Sequence, residues 1–133
     1  MLLREFNDTQ KMNFWKLANN LVMVDGEVKD SEIDMLNAYK TELGLDDLKI
    51  QSFSEELKDI IKSMKLNKRQ KKILMFELIG LAFTDDYYAE SEKNYLMEIQ
   101  RIINMSDDDV AIIGNYVNKV LKIYSELGEY INE

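Results

Sequence analysis

Three residue types are absent from this chain of 133 residues: cysteine, histidine and proline. Without cysteine the chain has no disulfide and no thiolate metal site, and without histidine it lacks the commonest general base and zinc ligand. Any bound metal would need oxygen ligands. Five glycines and no proline leave few residues for tight turns. Straight-chain helix formers dominate the periodic segments, so the composition predicts an all-α fold.

The charge balance is acidic, with a net charge of −8 and a pI of about 4.6. Because such a surface repels phosphate backbones, we expect protein partners and no nucleic acid. The first ten residues, MLLREFNDTQ, lack the basic and apolar regions of a signal peptide. No apolar run approaches the roughly 20 residues of a transmembrane segment. The expected location is therefore cytoplasmic.

Apolar periodicity divides the chain into helices within one domain spanning residues 1–133. The expected helices cover 9–24, 30–43, 54–64, 68–83, 90–103 and 107–131. Ser52 and Glu55 form a potential capping box before the third helix. The fourth helix is apolar on nearly every side, which is typical of a central helix. Glu77 lies either on the exposed stripe of this helix or as a buried carboxylate, and we expect exposure because an unpaired buried charge is costly. The fold prediction is an all-α bundle of about six to seven helices.

Two helix–loop–helix segments match when the chain is shifted by sixty positions. The identical pairs are Leu21/Leu81, Asp25/Asp85, Ser31/Ser91, Glu32/Glu92, Leu36/Leu96 and Asp47/Asp107. Apolar positions between them also correspond, so the pattern predicts an internal duplication. The copies would cover about 9–48 and 69–108, related by a pseudo-twofold axis, and a C-terminal helix would follow over about 107–131.

The segment LANNLVMVDGEVKDSEIDML resembles the signature of the TerB-like family of tellurite-resistance proteins. The shared pattern is an apolar helix, then Asp-Gly-x-Val, then an acidic helix start. Its second copy is LIGLAFTDDYYAESEKNYL, in which Asp86 occupies the position of the family's Gly. The resemblance implies about seven helices with internal symmetry and a stress or tellurite-resistance role. It also implies a metal-binding surface at Asp25, Glu32, Asp85 and Glu92.

The acidic loops have two interpretations. Asp25 follows a helix whose C-terminal dipole disfavours a carboxylate, so its oxygens require donors or a cation. In the structural interpretation they accept hydrogen bonds from the amides of Glu27 or Val28 in an Asx turn. In the metal-binding interpretation, the loops bind calcium, magnesium or manganese. No cofactor is required in either case, and the candidate metal ligands are Asp25, Glu27, Glu32, Asp85, Asp86 and Glu92.

Two further groups are candidates for protein interaction. Basic residues cluster at the start of the fourth helix, where the helix dipole opposes them, and two tyrosines lie in the second acidic loop. These residues are Lys68, Arg69, Lys71, Lys72, Tyr87 and Tyr88. No nucleophile motif or phosphate-binding loop is present, so an enzyme is not expected. Two functions remain: an ion-binding TerB-like domain, or a metal-free protein-interaction module whose acidic loops are purely structural. The sequence does not predict the oligomeric state.

Overall fold

A computed structural model describes residues 2–24, 26–83 and 89–132. All regular structure in these ranges is helical, which confirms the all-α class. After a 3₁₀ turn at Leu3–Glu5, the helices are α1 (Asp8–Met23), α2 (Asp30–Leu43), α3 (Leu57–Met64), α4 (Lys68–Ala82), α5 (Glu90–Ile102) and α6 (Asp107–Ile131). Each boundary lies within three residues of the predicted one.

The helices α1 and α4 begin with the same local structure. The Asn7 side chain accepts from the Gln10 amide at 2.8 Å, and the Gln10 side chain accepts from the Asn7 amide at 2.9 Å. Asn67 and Gln70 repeat this capping box with distances of 2.8 and 3.1 Å. Two otherwise unpaired helix-terminal amides are satisfied at each start, which fixes where α1 and α4 begin.

One hydrophobic core receives side chains from every helix. As predicted for α4, Leu78 and Leu81 are fully buried and Ala82 is 1% exposed. The helix α1 is buried to a similar extent and includes Trp15, which is 0% exposed. The expectation of one central helix was therefore incomplete, because α1 and α4 share that role. The sequence of α1 is less uniformly apolar than that of α4 because it includes three buried amide side chains, Gln10, Asn13 and Asn19.

Two asparagines of α1, Asn19 and Asn20, hold the linker between α2 and α3 against this helix. The Asn19 side chain accepts from the Gln51 amide at 3.0 Å. Asn20 accepts from the Phe53 amide at 2.7 Å and donates to its carbonyl at 3.1 Å. These bonds give backbone groups of this irregular segment partners that regular secondary structure does not supply.

The predicted capping box at the start of α3 was wrong. The Glu55 carboxylate instead pairs with Lys16 of α1 at 2.6 Å, and α3 begins at Leu57. Its N-cap residue, Glu56, makes no side-chain capping bond. A contact with a distant part of the chain therefore replaced the local cap, and the start of the helix moved by three residues from the predicted position.

The prediction that Glu77 is exposed was also wrong, because this residue is only 8% exposed. Burial raises the pKa of its carboxyl, and a hydrogen bond from the Leu2 amide partly opposes that rise. The Tyr39 hydroxyl donates to the Glu77 carbonyl at 3.0 Å. Leu2 and α2 cover this side of α4, which the apolar periodicity of α4 alone did not reveal.

Candidate protein-docking site

A groove of about 640 Å³ lies where α6 packs on the first half of α4. Six of its nine lining residues are apolar or aromatic, and the other three are basic. The lining residues are Leu2, Lys68, Arg69, Lys72, Ile73, Phe76, Ile113, Tyr116 and Val120. An apolar floor with a charged rim is the usual character of a protein-docking surface.

The rim contains three of the basic residues that the sequence identified. Arg69 forms a two-pronged ion pair with Glu5, with Nε–Oε1 and Nη2–Oε2 distances of 2.6 and 2.8 Å. The hydrogen bond from Arg69 lowers the pKa of the Glu5 carboxyl. Lys68 and Lys72 are exposed and form no ion pair with the described parts of the chain. Two of the rim cations are therefore available to an acidic ligand.

The predicted basic cluster is divided between two surfaces. Lys71 lies away from the groove, in a smaller depression of about 260 Å³ bordered by α3 and the end of α5. Lys58, Lys62 and Lys65 line the same depression. Residues 68–72 lie in the first turns of α4, and a helix directs successive side chains to different sides. Only Lys68, Arg69 and Lys72 therefore belong to the candidate docking site.

The helix α6 contributes an apolar stripe that the sequence-based list of site residues omitted. Its members follow the alternating spacing of three and four residues that is typical of helix-pairing surfaces: Ile113, Tyr116, Val120, Ile123, Leu127 and Tyr130. The first three line the groove. The last three are 61%, 48% and 69% exposed. We call residues 121–131 the α6 extension, because Ile113 and Val117 are the buried residues of this helix.

The candidate metal ligands are only partly described. Asp25, Asp85 and Asp86 lie outside the described residues, as do Tyr87 and Tyr88. Among the others, Glu27 is exposed, whereas Glu32 and Glu92 are 2% and 1% exposed. An oxygen of Glu32 accepts from the Lys29 amide at 3.0 Å, which caps the start of α2. Within the described ranges, no three acidic side chains gather into a group that could hold a metal ion.

The described helices include none that combines the length and the apolar character needed to cross a membrane. Comparisons of the chain with protein-family models, with curated proteins and with solved structures found no match.

Proposed function

We propose that this chain is a non-enzymatic, protein-binding helical domain, and that the groove between α4 and α6 binds an apolar helix with acidic flanks. The observation that carries this proposal is the groove itself, with its apolar floor and basic rim on a chain of net charge −8. An acidic ligand would be attracted to Lys68 and Lys72 although the chain as a whole is acidic. The apolar floor would supply most of the affinity.

Nuclear magnetic resonance of the full chain tests this proposal. The probe is a designed helical peptide with apolar residues three and four apart and flanking glutamates. We expect amide resonances of the residues lining the groove to shift, including Phe76 and Ile113. A peptide of the same apolar sequence with lysine flanks should bind more weakly, because its charges oppose those of the rim.

Variants of α4 give the matched comparison. Charge reversal at both Lys68→Glu and Lys72→Glu should weaken binding of the acidic peptide roughly tenfold, since two surface charge contacts change sign. Lys71→Glu changes the charge of the same helix outside the groove and should leave binding nearly unchanged. Equal loss in the double variant and in Lys71→Glu would attribute the effect to net charge and contradict a docking site at the groove.

The internal duplication is part of the same proposal. The bounds of α1 and α2 correspond to those of α4 and α5 when shifted by sixty positions, to within one residue. Both first helices begin with an Asn-x-x-Gln capping box at that spacing. Both second helices place a nearly fully buried glutamate, Glu32 or Glu92, in the first turn. These correspondences support two copies of one helical hairpin.

A second candidate function is the TerB-like one, in which the acidic loops bind a divalent cation and the domain serves a stress or tellurite response. The observation in its favour is the burial of Glu32 and Glu92 beside those loops. Buried carboxylates require hydrogen-bond donors or cations. Glu32 obtains one donor from the Lys29 amide, which equally fits purely structural loops.

A further inference from the structure

We propose that two copies of this chain form an antiparallel dimer, in which the α6 extension of each copy fills the groove of the other. This inference rests on the proposed function, because it names the helix that the groove binds. The surfaces involved are the groove and the exposed end of α6, and both belong to the same chain. A dimer with a twofold axis would therefore cover both surfaces of each copy in one interface.

The spacing of the α6 stripe makes it complementary to itself. Its first half lines the groove, and its second half consists of exposed apolar side chains. An antiparallel pairing about an axis near residues 121 and 122 places Ile123 against Val120 of the second copy. The same register places Leu127 against Tyr116, and residue 130 against residue 113. Each exposed apolar side chain thereby meets one that lines the groove.

The charges beside the stripe fit the same arrangement. Lys119 and Glu126 are both exposed and are seven residues apart, so they lie on the same flank of α6. An antiparallel twofold axis between them places Lys119 of each copy next to Glu126 of the other, giving two ion pairs. The segment 123–131 contains Glu126 and Glu129 and no basic residue. Its charge therefore also suits the groove rim at Lys68 and Lys72.

A second copy of this chain would cover more of the exposed apolar surface than an unrelated helix would. A foreign helix in the groove would leave Ile123, Leu127 and Tyr130 in water. These side chains form a continuous apolar face on the α6 extension, and contiguous faces of this kind mark interaction sites. In the dimer, one interface removes both the groove and this face from solvent.

Sedimentation of the full chain over a wide concentration range is the first test. We expect the wild type to dimerise, and Leu127→Glu to weaken the dimer at least tenfold because it buries a charge in the apolar seam. Ser125→Glu is the matched control, because it adds the same charge to an exposed position outside the stripe. Circular dichroism checks that both variants keep the helical fold, as expected for substitutions at exposed positions.

Charge exchange tests the antiparallel pairing itself. Lys119→Glu alone and Glu126→Lys alone should each weaken the dimer, because each places like charges together twice. The double variant should restore it, because both ion pairs re-form with reversed polarity. Lys119 also lies 5.0 Å from the centre of the Tyr116 ring, a contact that the double variant does not restore. Recovery should therefore be substantial but incomplete.

Three results would overturn the dimer: a wild type that remains monomeric at millimolar concentration, a dimer unaffected by Leu127→Glu, or no recovery in the double variant. The monomeric result would leave the proposed function standing if the acidic helical peptide still bound the groove. Leu127→Glu keeps every residue that lines the groove, so this variant allows peptide binding to be measured without competition from a second copy. A monomeric chain that also fails to bind the peptide would contradict both proposals.

Discussion

The side-chain amides of Gln10 and Gln70 donate to each other across the interface of α1 and α4. Gln10 Nε2 lies 3.0 Å from Gln70 Oε1, and Gln70 Nε2 lies 3.2 Å from Gln10 Oε1. Gln10 also donates to the Met64 carbonyl at 2.9 Å and accepts from the Asn7 amide. All four hydrogen-bonding positions of this 2% exposed side chain are thereby used. The pair joins the starts of two helices that are sixty positions apart.

Replacing Gln10 by alanine should destabilise the fold by about 1–3 kcal/mol, because the Met64 carbonyl and the Asn7 amide lose their partner. Gln70→Ala should destabilise the fold less than Gln10→Ala does. Gln70 is only half-buried, and the bond to the Met64 carbonyl comes from Gln10. Urea denaturation of both single variants and the double variant measures their coupling. We expect the double variant to lose less than the sum of the single losses. Strict additivity would show that the reciprocal contact contributes nothing.

Leu81→Ala should destabilise the fold by roughly 2–5 kcal/mol, the usual range for a fully buried leucine that leaves a cavity. Met97→Ala provides the comparison, because Met97 is 53% exposed and its loss should change stability by about 0.5 kcal/mol or less. Thermal and urea unfolding measure both. A loss well under 1 kcal/mol for Leu81→Ala would contradict the central position of α4.

Much of the helix pattern was predictable because local features of the sequence mark where several helices begin or end. Ser106 accepts from the Asp109 amide at 3.1 Å, and α6 spans the predicted range 107–131. Gly44 adopts the left-handed conformation with φ of 71°, where α2 was expected to end. Caps and left-handed glycines act within a few residues, so a single sequence is sufficient to locate them.

The candidate site was only half predictable. The basic residues Lys68, Arg69 and Lys72 were identified from their unusual position at a helix start. Their apolar counterparts on α6 were not, because periodicity shows that a helix has an apolar face and not which part of that face remains uncovered. Tyr124 illustrates this, because it belongs to the apolar pattern of α6 and is nevertheless 60% exposed. The spacing of three and four residues along α6 was the sequence feature that could have identified its apolar stripe.

Glu77→Gln should stabilise the fold at neutral pH. Burial raises the folded-state pKa of Glu77 above its usual value of 4.5, so the folded state binds this proton more tightly than the unfolded state does. Its contribution to stability is complete below that usual value and is lost as pH rises through the raised pKa. The glutamine variant should therefore lose stability less steeply over that window.

Urea denaturation at a series of pH values measures the effect, with Glu98→Gln as the control at an exposed position of α5. The control should leave the slope of stability against pH nearly unchanged. A glutamine variant at position 77 that is less stable than the wild type at neutral pH would contradict the prediction. The hydrogen bond from the Leu2 amide would then outweigh the cost of burying the carboxylate, although its Oε1 atom has no partner among the described residues.

Cation-dependent stabilisation distinguishes the two interpretations of the acidic loops. If the loops bind calcium, magnesium or manganese, the cation should raise the melting temperature by mass action, and Asp25→Asn should abolish that rise. The melting temperature without cation should stay level or increase, because the variant relieves repulsion between Asp25 and the end of α1.

Asp46→Asn is the control, since it removes one exposed carboxylate elsewhere. Asp85→Asn should have a smaller effect than Asp25→Asn, because Asp86 replaces the conformationally free glycine of the first loop. No heat of binding and no shift in melting temperature with any of the three cations at millimolar concentration would eliminate ion binding and leave the loops structural.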